Sequence, residues 1–104
     1  MKTGYVYIMS NVKRNVFYIG VTSDLEERVA QHKAGIGSIF TSKYQLHYLV
    51  YFERIFDIEQ AIKREKQLKR WHRDWKINLI RSINPEMKDL ILTGLPADPE
   101  TSSG

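Results

Sequence analysis

The sequence predicts a small α+β domain, with a three-stranded antiparallel sheet flanked by helices in the order ββαβαα. Two segments rich in aromatic and β-branched residues, 4–9 and 16–22, are separated by a short polar turn, which indicates a hairpin. A third such segment and three helical patterns follow within a chain of 104 residues. This length accommodates a single core.

The first helix begins with a capping box, in which Ser23 is followed by Glu26 three residues later. It is expected to end near Gly35, and residues 35–38 then form a loop. The third strand is expected over about residues 45–54, where a run of apolar residues is typical of a covered sheet position.

Two further helices complete the predicted order. Asp57 with Gln60 marks the start of a long basic helix. Asn84 ends the last helix, because the residue before a proline avoids the helical region. The apolar face of this last helix is predicted to consist of residues spaced by four, namely Trp75, Leu79 and Ile83.

The chain is predicted to form one domain over residues 1–92, followed by a flexible C-terminal tail over 93–104 with two prolines and no basic residue. The absence of cysteine excludes a disulfide framework, a cysteine-ligated metal site and a thiol nucleophile. The longest apolar run, 48–52, is far shorter than the roughly 20 residues of a membrane span, and no signal peptide is evident. We therefore expect a cytoplasmic protein with no membrane partner.

The net charge of +4 is concentrated in one segment. Residues 60–76 contain seven basic and two acidic side chains together with two tryptophans, whereas the remainder is slightly acidic. A local basic surface with aromatic neighbours is typical of proteins that bind the phosphate backbone of nucleic acids. A solvated helix face that binds nothing is the alternative.

A carboxylate interrupts the apolar face of the basic helix. Glu65 falls within the stripe formed by Ile58, Ala61, Ile62 and Leu68. Burying an unpaired carboxylate costs several kcal/mol. Glu65 should therefore form an ion pair, with Lys69 one turn later, or form hydrogen bonds, or face a cleft where it could bind a metal ion.

The first helix shows a similar interruption. His32 lies within the apolar face that Leu25, Val29 and Ile36 define, and Arg28 lies one turn earlier at its border. Together these two side chains could stabilise a phosphate and transfer a proton. A core histidine and a surface arginine paired with glutamate are the alternatives.

Three tyrosines lie on the predicted hairpin. Tyr5 and Tyr7 have the same parity and point to one face of the sheet, and Tyr18 lies on the second strand. Packing is the usual role of strand tyrosines. A phenol with a pKa near 10 acts as a base or nucleophile only when its surroundings assist it.

These residues follow one another in a defined order: Tyr5-Val-Tyr7, Tyr18-Ile-Gly20, Arg28-x-x-x-His32 and then Glu65 on a helix. In that order they resemble the GIY-YIG nuclease domain family, and in particular its small stand-alone bacterial branch. Further similar blocks lie at residues 40–44, 49–51, 61–71 and 79–85, so that the resemblance covers about residues 4–92. An ordered series of blocks over one domain is far more specific than a single Tyr-Ile-Gly.

The resemblance implies a metal-dependent endonuclease that hydrolyses phosphodiester bonds in DNA, with RNA as an open alternative, and that prefers branched, nicked or damaged structures in repair or recombination. It implies one divalent ion, Mg²⁺ or Mn²⁺, held by Glu65. Gly20 corresponds to the tight backbone position. The catalytic residues that the resemblance implies are Tyr7, Tyr18, Arg28, His32 and Glu65.

The expected chemistry assigns a role to each group. Arg28 would neutralise phosphate oxygens, and a tyrosine whose pKa is lowered by basic neighbours, or His32 assisting it, would take a proton from water. A catalytically silent nucleic-acid-binding module of the same fold is the competing reading. Met87 stands where the branch commonly has tryptophan, a change expected to affect packing only. The residues expected to bind nucleic acid are Lys63, Arg64, Lys66, Lys69 and Arg70.

Overall fold

The computed structural model describes residues 2–90, so the predicted domain end at residue 92 and the tail over 93–104 lie outside the described residues. Strands β1 (Gly4–Ser10), β2 (Phe17–Thr22) and β3 (Tyr48–Ile55) form an antiparallel sheet in the order β2-β1-β3. The helices are α1 (Leu25–Lys33), α2 (Ile39–Lys43), α3 (Ile58–Lys69) and α4 (Arg73–Ile83). The predicted α+β class and three-stranded antiparallel sheet are confirmed.

The short helix α2 was not predicted, so the observed order is ββααβαα. Ser38 caps this helix, because its hydroxyl accepts a hydrogen bond of 3.1 Å from the backbone N–H of Thr41. With only five residues, α2 is too short to show the apolar periodicity on which the sequence analysis relied.

The start of α1 lies one residue later than the capping box predicted. Asp24, not Ser23, is the N-cap, and its carboxylate accepts from the backbone N–H of Glu27. The hydroxyl of Thr22 accepts from the backbone N–H of Asp24 and holds Asp24 in an extended conformation. At the other end, Gly35 adopts a φ of 81° and closes α1 in a Schellman motif. The helix therefore ends near this glycine, as predicted.

Strand β3 begins at Tyr48, later than the predicted start at residue 45. Gln45 has a positive φ of 56°, which belongs to a turn and not to a strand. The backbone N–H of Leu46 then donates to the carbonyl of Thr41, so these residues close the end of α2. At the following turn, Asp57 is the N-cap of α3, as predicted.

The predicted apolar face of α4 is wrong at Trp75 and Ile83, whereas Leu79 packs against the core as predicted. Trp75 and Ile83 are 54% and 61% exposed, whereas Ile80 is completely buried. The helix turns Ile80 towards the core, and Ile77 and Leu79 pack beside it. Trp75 instead packs at the surface, with its ring centroid 5.9 Å from that of Trp71.

Two more apolar residues that were predicted to lie on buried helix faces are exposed. Ile62 on α3 is 38% exposed, at the border of the buried stripe, and Ile36 is 74% exposed because α1 ends at Lys33 before reaching it. Asn84 ends α4, as predicted, and its amide donates to the carbonyl of Val50 on β3. This contact ties the turn after α4 to the sheet.

The alternation of side chains on β1 divides the interior into two clusters. Val6 and Ile8 face α3 and α4, and Met87 packs in this cluster, as expected of a packing position. Tyr5 and Tyr7 share the opposite face, as predicted, and pack against the buried side of α1. In the described part of the chain, no helix is long and apolar enough to cross a membrane.

On the face covered by α3, Glu53 holds Arg64 in a bidentate contact. The Nε and one terminal nitrogen of Arg64 donate to the carboxylate at 2.8–3.2 Å, and the phenol of Tyr51 donates to the same carboxylate. Burial opposes the charge of Glu53, but the hydrogen bonds from Arg64 and Tyr51 outweigh it and lower its pKa. The Arg64 guanidinium also lies 5.3 Å from the centre of the Trp71 ring.

We predict that Arg64→Ala destabilises the fold by about 2 kcal/mol, because it leaves the half-buried Glu53 carboxylate without its charged partner. Lys63→Ala, at an exposed neighbouring position on α3, should change stability by less than about 0.5 kcal/mol. Urea denaturation of both variants measures the difference. Equal midpoints for the two variants would show that the bidentate contact contributes nothing.

Candidate active site

The site is built around the pairing of Tyr7 with Gly20. These residues face each other in the β1–β2 register, and the ring of Tyr7 lies over Gly20. A β-carbon at position 20 would collide with the Tyr7 phenol. Gly20 therefore occupies a tight position, where the absence of a side chain lets the phenol reach towards α1.

His32 receives this phenol on one side and Thr41 on the other. Its Nε2 lies 2.8 Å from the Tyr7 hydroxyl, and its Nδ1 lies 2.9 Å from the Thr41 hydroxyl. The Thr41 hydroxyl also donates to the backbone carbonyl of Ser38. We assign the imidazole proton to Nδ1, because Thr41 then accepts it and Nε2 accepts the proton of Tyr7.

The loop between α1 and α2 closes over the histidine. Gly37 passes so near the ring that a β-carbon there would overlap Nδ1 of His32. The imidazole is completely buried, and its described hydrogen-bonding groups come from β1 and α2. His32 is thus a satisfied buried histidine, and it also contacts a motif tyrosine.

Tyr18 and Arg28 are the more accessible members of the predicted set. The half-buried Tyr18 ring lies 6.3 Å from the ring of Tyr7 and 5.5 Å, edge to face, from that of His32. Arg28 is half-buried one helical turn before His32. Within residues 2–90 no carboxylate forms an ion pair with Arg28, so its guanidinium is available to a ligand.

Burial sets the protonation of the two groups that share the buried hydrogen bond. Burial, and then the neighbouring Tyr18, raise the pKa of Tyr7 well above its ordinary value, although Arg28 acts in the opposite direction. Burial, assisted by Arg28, lowers the pKa of His32 to about 4. The expectation that basic neighbours lower a tyrosine pKa is therefore wrong for Tyr7, because desolvation outweighs the single arginine.

Glu65 lies on the buried face of α3, as predicted, between the turns of Ala61 and Leu68. Its carboxylate forms an ion pair with Lys69, with 2.6 Å between Oε2 and Nζ. The charge of Glu65 also contributes to raising the pKa of Tyr7, so the carboxylate lies within electrostatic reach of that phenol. The ion pair that the sequence offered as one alternative is thus present.

The donor set fits a hard divalent cation that needs few protein ligands. Within residues 2–90 no group of three or more histidine, cysteine or acidic side chains is arranged around a common point. Glu65 supplies one buried carboxylate, and its described partner, Lys69, has a side chain that is 51% exposed and can swing away. Mg²⁺ is commonly held by one or two carboxylates while it keeps several waters and binds substrate phosphate.

The basic residues of α3 do not form one outward surface. Arg64 is held by Glu53, and Lys69 is paired with Glu65. The side chains of Lys63, Lys66 and Arg70 are exposed. Three of the five predicted nucleic-acid-binding residues are therefore available to a phosphate backbone in this structure.

Thr41 and Gly37 are site residues that the sequence analysis missed. Thr41 lies within one of the blocks that resemble the nuclease family, but no spacing rule connects it with His32 nine residues earlier. Gly37 was assigned only to a loop. Asn84, which had no assigned chemistry, bonds to the carbonyls of Val50 and Lys88 and has a structural role.

The three-stranded antiparallel sheet and its helices bring Tyr7, Tyr18 and His32 into contact, and the charges of Arg28 and Glu65 act on the Tyr7 phenol. The chain matches the family described as the GIY-YIG catalytic domain over residues 3–78. It therefore belongs to the GIY-YIG catalytic domain family, whose nucleases act on nucleic acids and generally use a divalent metal ion.

Small bacterial proteins are similar to the chain over most of their length. A UPF0213 protein of Staphylococcus haemolyticus is 36% identical over 80 residues, which are 77% of this chain and 96% of that protein. A UPF0213 protein of Syntrophus aciditrophicus is 33% identical over 87 residues, or 83% of this chain and 98% of that protein. No solved structure is significantly similar to the chain.

We predict a pH-dependent loss of stability that originates at His32. Because its pKa is about 4 in the folded protein and near 6.5 in the unfolded chain, only the unfolded chain binds a proton between these values. Stability is therefore full at about pH 7.5 and should fall by about 2 kcal/mol as the pH decreases to about 5. Urea denaturation across this interval measures the loss.

The matched variants are His32→Gln, whose amide oxygen can still accept from Tyr7, and His72→Gln at an exposed histidine. Only the first should flatten the pH dependence above about pH 5, where carboxylates contribute little. Parallel curves for wild type and His32→Gln would contradict the assignment.

Proposed function

We propose that this protein is a metal-dependent endonuclease that hydrolyses phosphodiester bonds in DNA. The observation that supports it most directly is the hydrogen bond from Tyr7 to the neutral His32, with Tyr18 in ring contact with both. The charges of Arg28 and Glu65 both act on the Tyr7 phenol. A purely structural role for His32 does not account for two neighbouring tyrosines, a guanidinium available to a ligand and a carboxylate within electrostatic reach.

The side chains divide the work of phosphodiester hydrolysis. Arg28 presents a planar fork of donors that suits two nonbridging oxygens of a phosphate. Glu65 would hold Mg²⁺ or Mn²⁺, which supplies stabilisation of the charge that develops on the phosphate and the leaving oxygen. Lys69 must leave Glu65 for this to happen, and the phosphates of the bound substrate offer its ammonium an alternative partner.

Proton transfer is assigned to the hydrogen-bonded pair of Tyr7 and His32. Burial raises the pKa of Tyr7, so a free tyrosinate does not accumulate. The phenol can therefore accept a proton from the attacking water only while it passes its own proton to Nε2 of His32. Nε2 is unprotonated at neutral pH because the pKa of His32 is about 4. Tyr18, the more exposed phenol, would position the attacking water.

The substrate that we propose is branched, nicked or damaged DNA, with roles in repair or recombination in the cytoplasm. One catalytic centre in each chain cuts one strand at a time. The catalytically silent binding module remains the second candidate, and the contact of Lys69 with Glu65 is the observation that favours it.

We predict that purified protein with Mg²⁺ or Mn²⁺ nicks supercoiled plasmid and cuts branched oligonucleotides, and that EDTA abolishes both. Glu65→Gln should reduce the rate at least about a hundredfold, because a neutral amide does not replace the anionic oxygen ligand. Glu59→Gln, at an exposed position of the same helix, is the control. Cutting by Glu65→Gln at the wild-type rate would refute the metal site, and binding of DNA with no cutting by wild type would favour the silent module.

We also predict that Lys66→Ala weakens DNA binding and lowers the slope of log K against log salt by about 0.9 for each lost phosphate contact. The exposed side chain of Lys66 has no described partner, so its removal should not affect folding. Lys88→Ala, in the turn after α4, is the control. An unchanged slope for Lys66→Ala would place the DNA away from this face of α3.

A further inference from the structure

Exposed aromatic rings continue outwards from the catalytic tyrosines. Phe40 on α2 stacks against Tyr18, with 6.2 Å between ring centroids and an interplanar angle of 29°. Tyr44 follows Phe40 at 4.8 Å. Phe40 and Tyr44 are 41% and 44% exposed, so a series of aromatic contacts runs from the buried Tyr7 through Tyr18 to the surface.

These rings are held in place although they are exposed. The only buried side chain of α2 is Thr41, which is hydrogen-bonded to His32. This hydrogen bond fixes α2 directly to His32 of the proposed catalytic site. The aromatic face of α2 consequently has a defined position relative to Tyr18, which is the condition for a stacking site that must place a reacting phosphate.

The chemistry around the rings matches a nucleotide. The ammonium of Lys43 lies 5.3 Å from the centre of the Tyr44 ring, so a cation accompanies the exposed aromatic surface. Tyr44 also lines a cleft of about 620 Å³ whose other walls carry Lys13, Asn15 and His47. An aromatic surface bordered by cations and a polar cleft suits a base with its attached phosphate better than it suits an apolar helix.

We propose that Phe40 and Tyr44 form a stacking site for an unpaired nucleobase next to the phosphate that is cut. In a duplex both faces of each base are already covered by neighbouring bases, so the site selects single-stranded or unpaired segments. This inference rests on the proposed function, and it narrows the substrate class to DNA with unpaired nucleotides at the cutting position. Tyr18, which touches Phe40, links the stacked base to the catalytic centre.

Binding in the absence of metal tests the stacking site separately from catalysis. The probes are a short single-stranded DNA, an RNA of the same sequence and a blunt duplex, each carrying a fluorescent base analogue, and the protein is the full chain with Glu65→Gln. Tyr44→Leu and Phe40→Leu remove a ring but retain an apolar side chain. Phe56→Leu, at a 72% exposed aromatic in the turn before α3, is the matched control.

We expect each of the two variants to raise the dissociation constant for single-stranded DNA about tenfold or more, and to lose quenching of the base analogue. Duplex binding and the unfolding midpoint should change little, and Phe56→Leu should behave like the parent. Equal losses for single strand and duplex, or no loss, would overturn the stacking site. Tighter binding of the RNA than of the DNA would assign the site to RNA bases.

Failure of this inference is distinguishable from failure of the proposed function. If wild-type protein cuts DNA while Tyr44→Leu binds single strands normally, the nuclease assignment stands and the stacking site does not. If Tyr44→Leu loses binding to single strands while wild type cuts none of the substrates, the stacking site stands and the catalytic assignment fails.

Discussion

The site depends on the two hydrogen bonds of the buried His32 ring. Nε2 contacts Tyr7 on the central strand, and Nδ1 contacts Thr41 on α2, so one imidazole joins α1 to the sheet and to the short helix. The bond that Nε2 accepts from Tyr7 requires an unprotonated ring, which burial and Arg28 favour, whereas the bond that Nδ1 donates to Thr41 does not. The same imidazole therefore accepts the hydrogen bond of Tyr7 and fixes the position of the aromatic face of α2.

Much of this arrangement follows from local periodicity and could be predicted. Alternation along β1 places Tyr7 opposite in direction to Val6, and the helical repeat identifies His32 and Glu65 as polar groups on apolar faces. Such inferences succeed because the pleat and the helical turn are set by the backbone alone. The predicted helix faces were wrong where a helix ended early, as at Ile36. They were also wrong where tertiary packing determined which side of a helix is buried, as at Ile80.

The partners of these polar groups could not be predicted, because they depend on loops that no periodicity describes. Thr41 reaches His32 only because residues 34–38 turn back over α1, and Gly37 permits the approach. The expectation that basic neighbours lower the pKa of a tyrosine is wrong for Tyr7 for a related reason. Counting cations in the sequence ignores desolvation, which in a completely covered phenol exceeds the effect of one neighbouring arginine.

Charge on α3 illustrates how the fold changes the meaning of composition. The sequence gives this region a strong positive excess, yet two of its cations are neutralised within the domain, Arg64 by Glu53 and Lys69 by Glu65. The two contacts differ in accessibility: the Arg64 side chain is 27% exposed and held bidentately, whereas that of Lys69 is 51% exposed and held by a single contact. The contact of Arg64 with Glu53 therefore stabilises the fold. Under the proposed function, Lys69 would exchange the carboxylate for a phosphate of the bound nucleic acid, and that exchange would free Glu65.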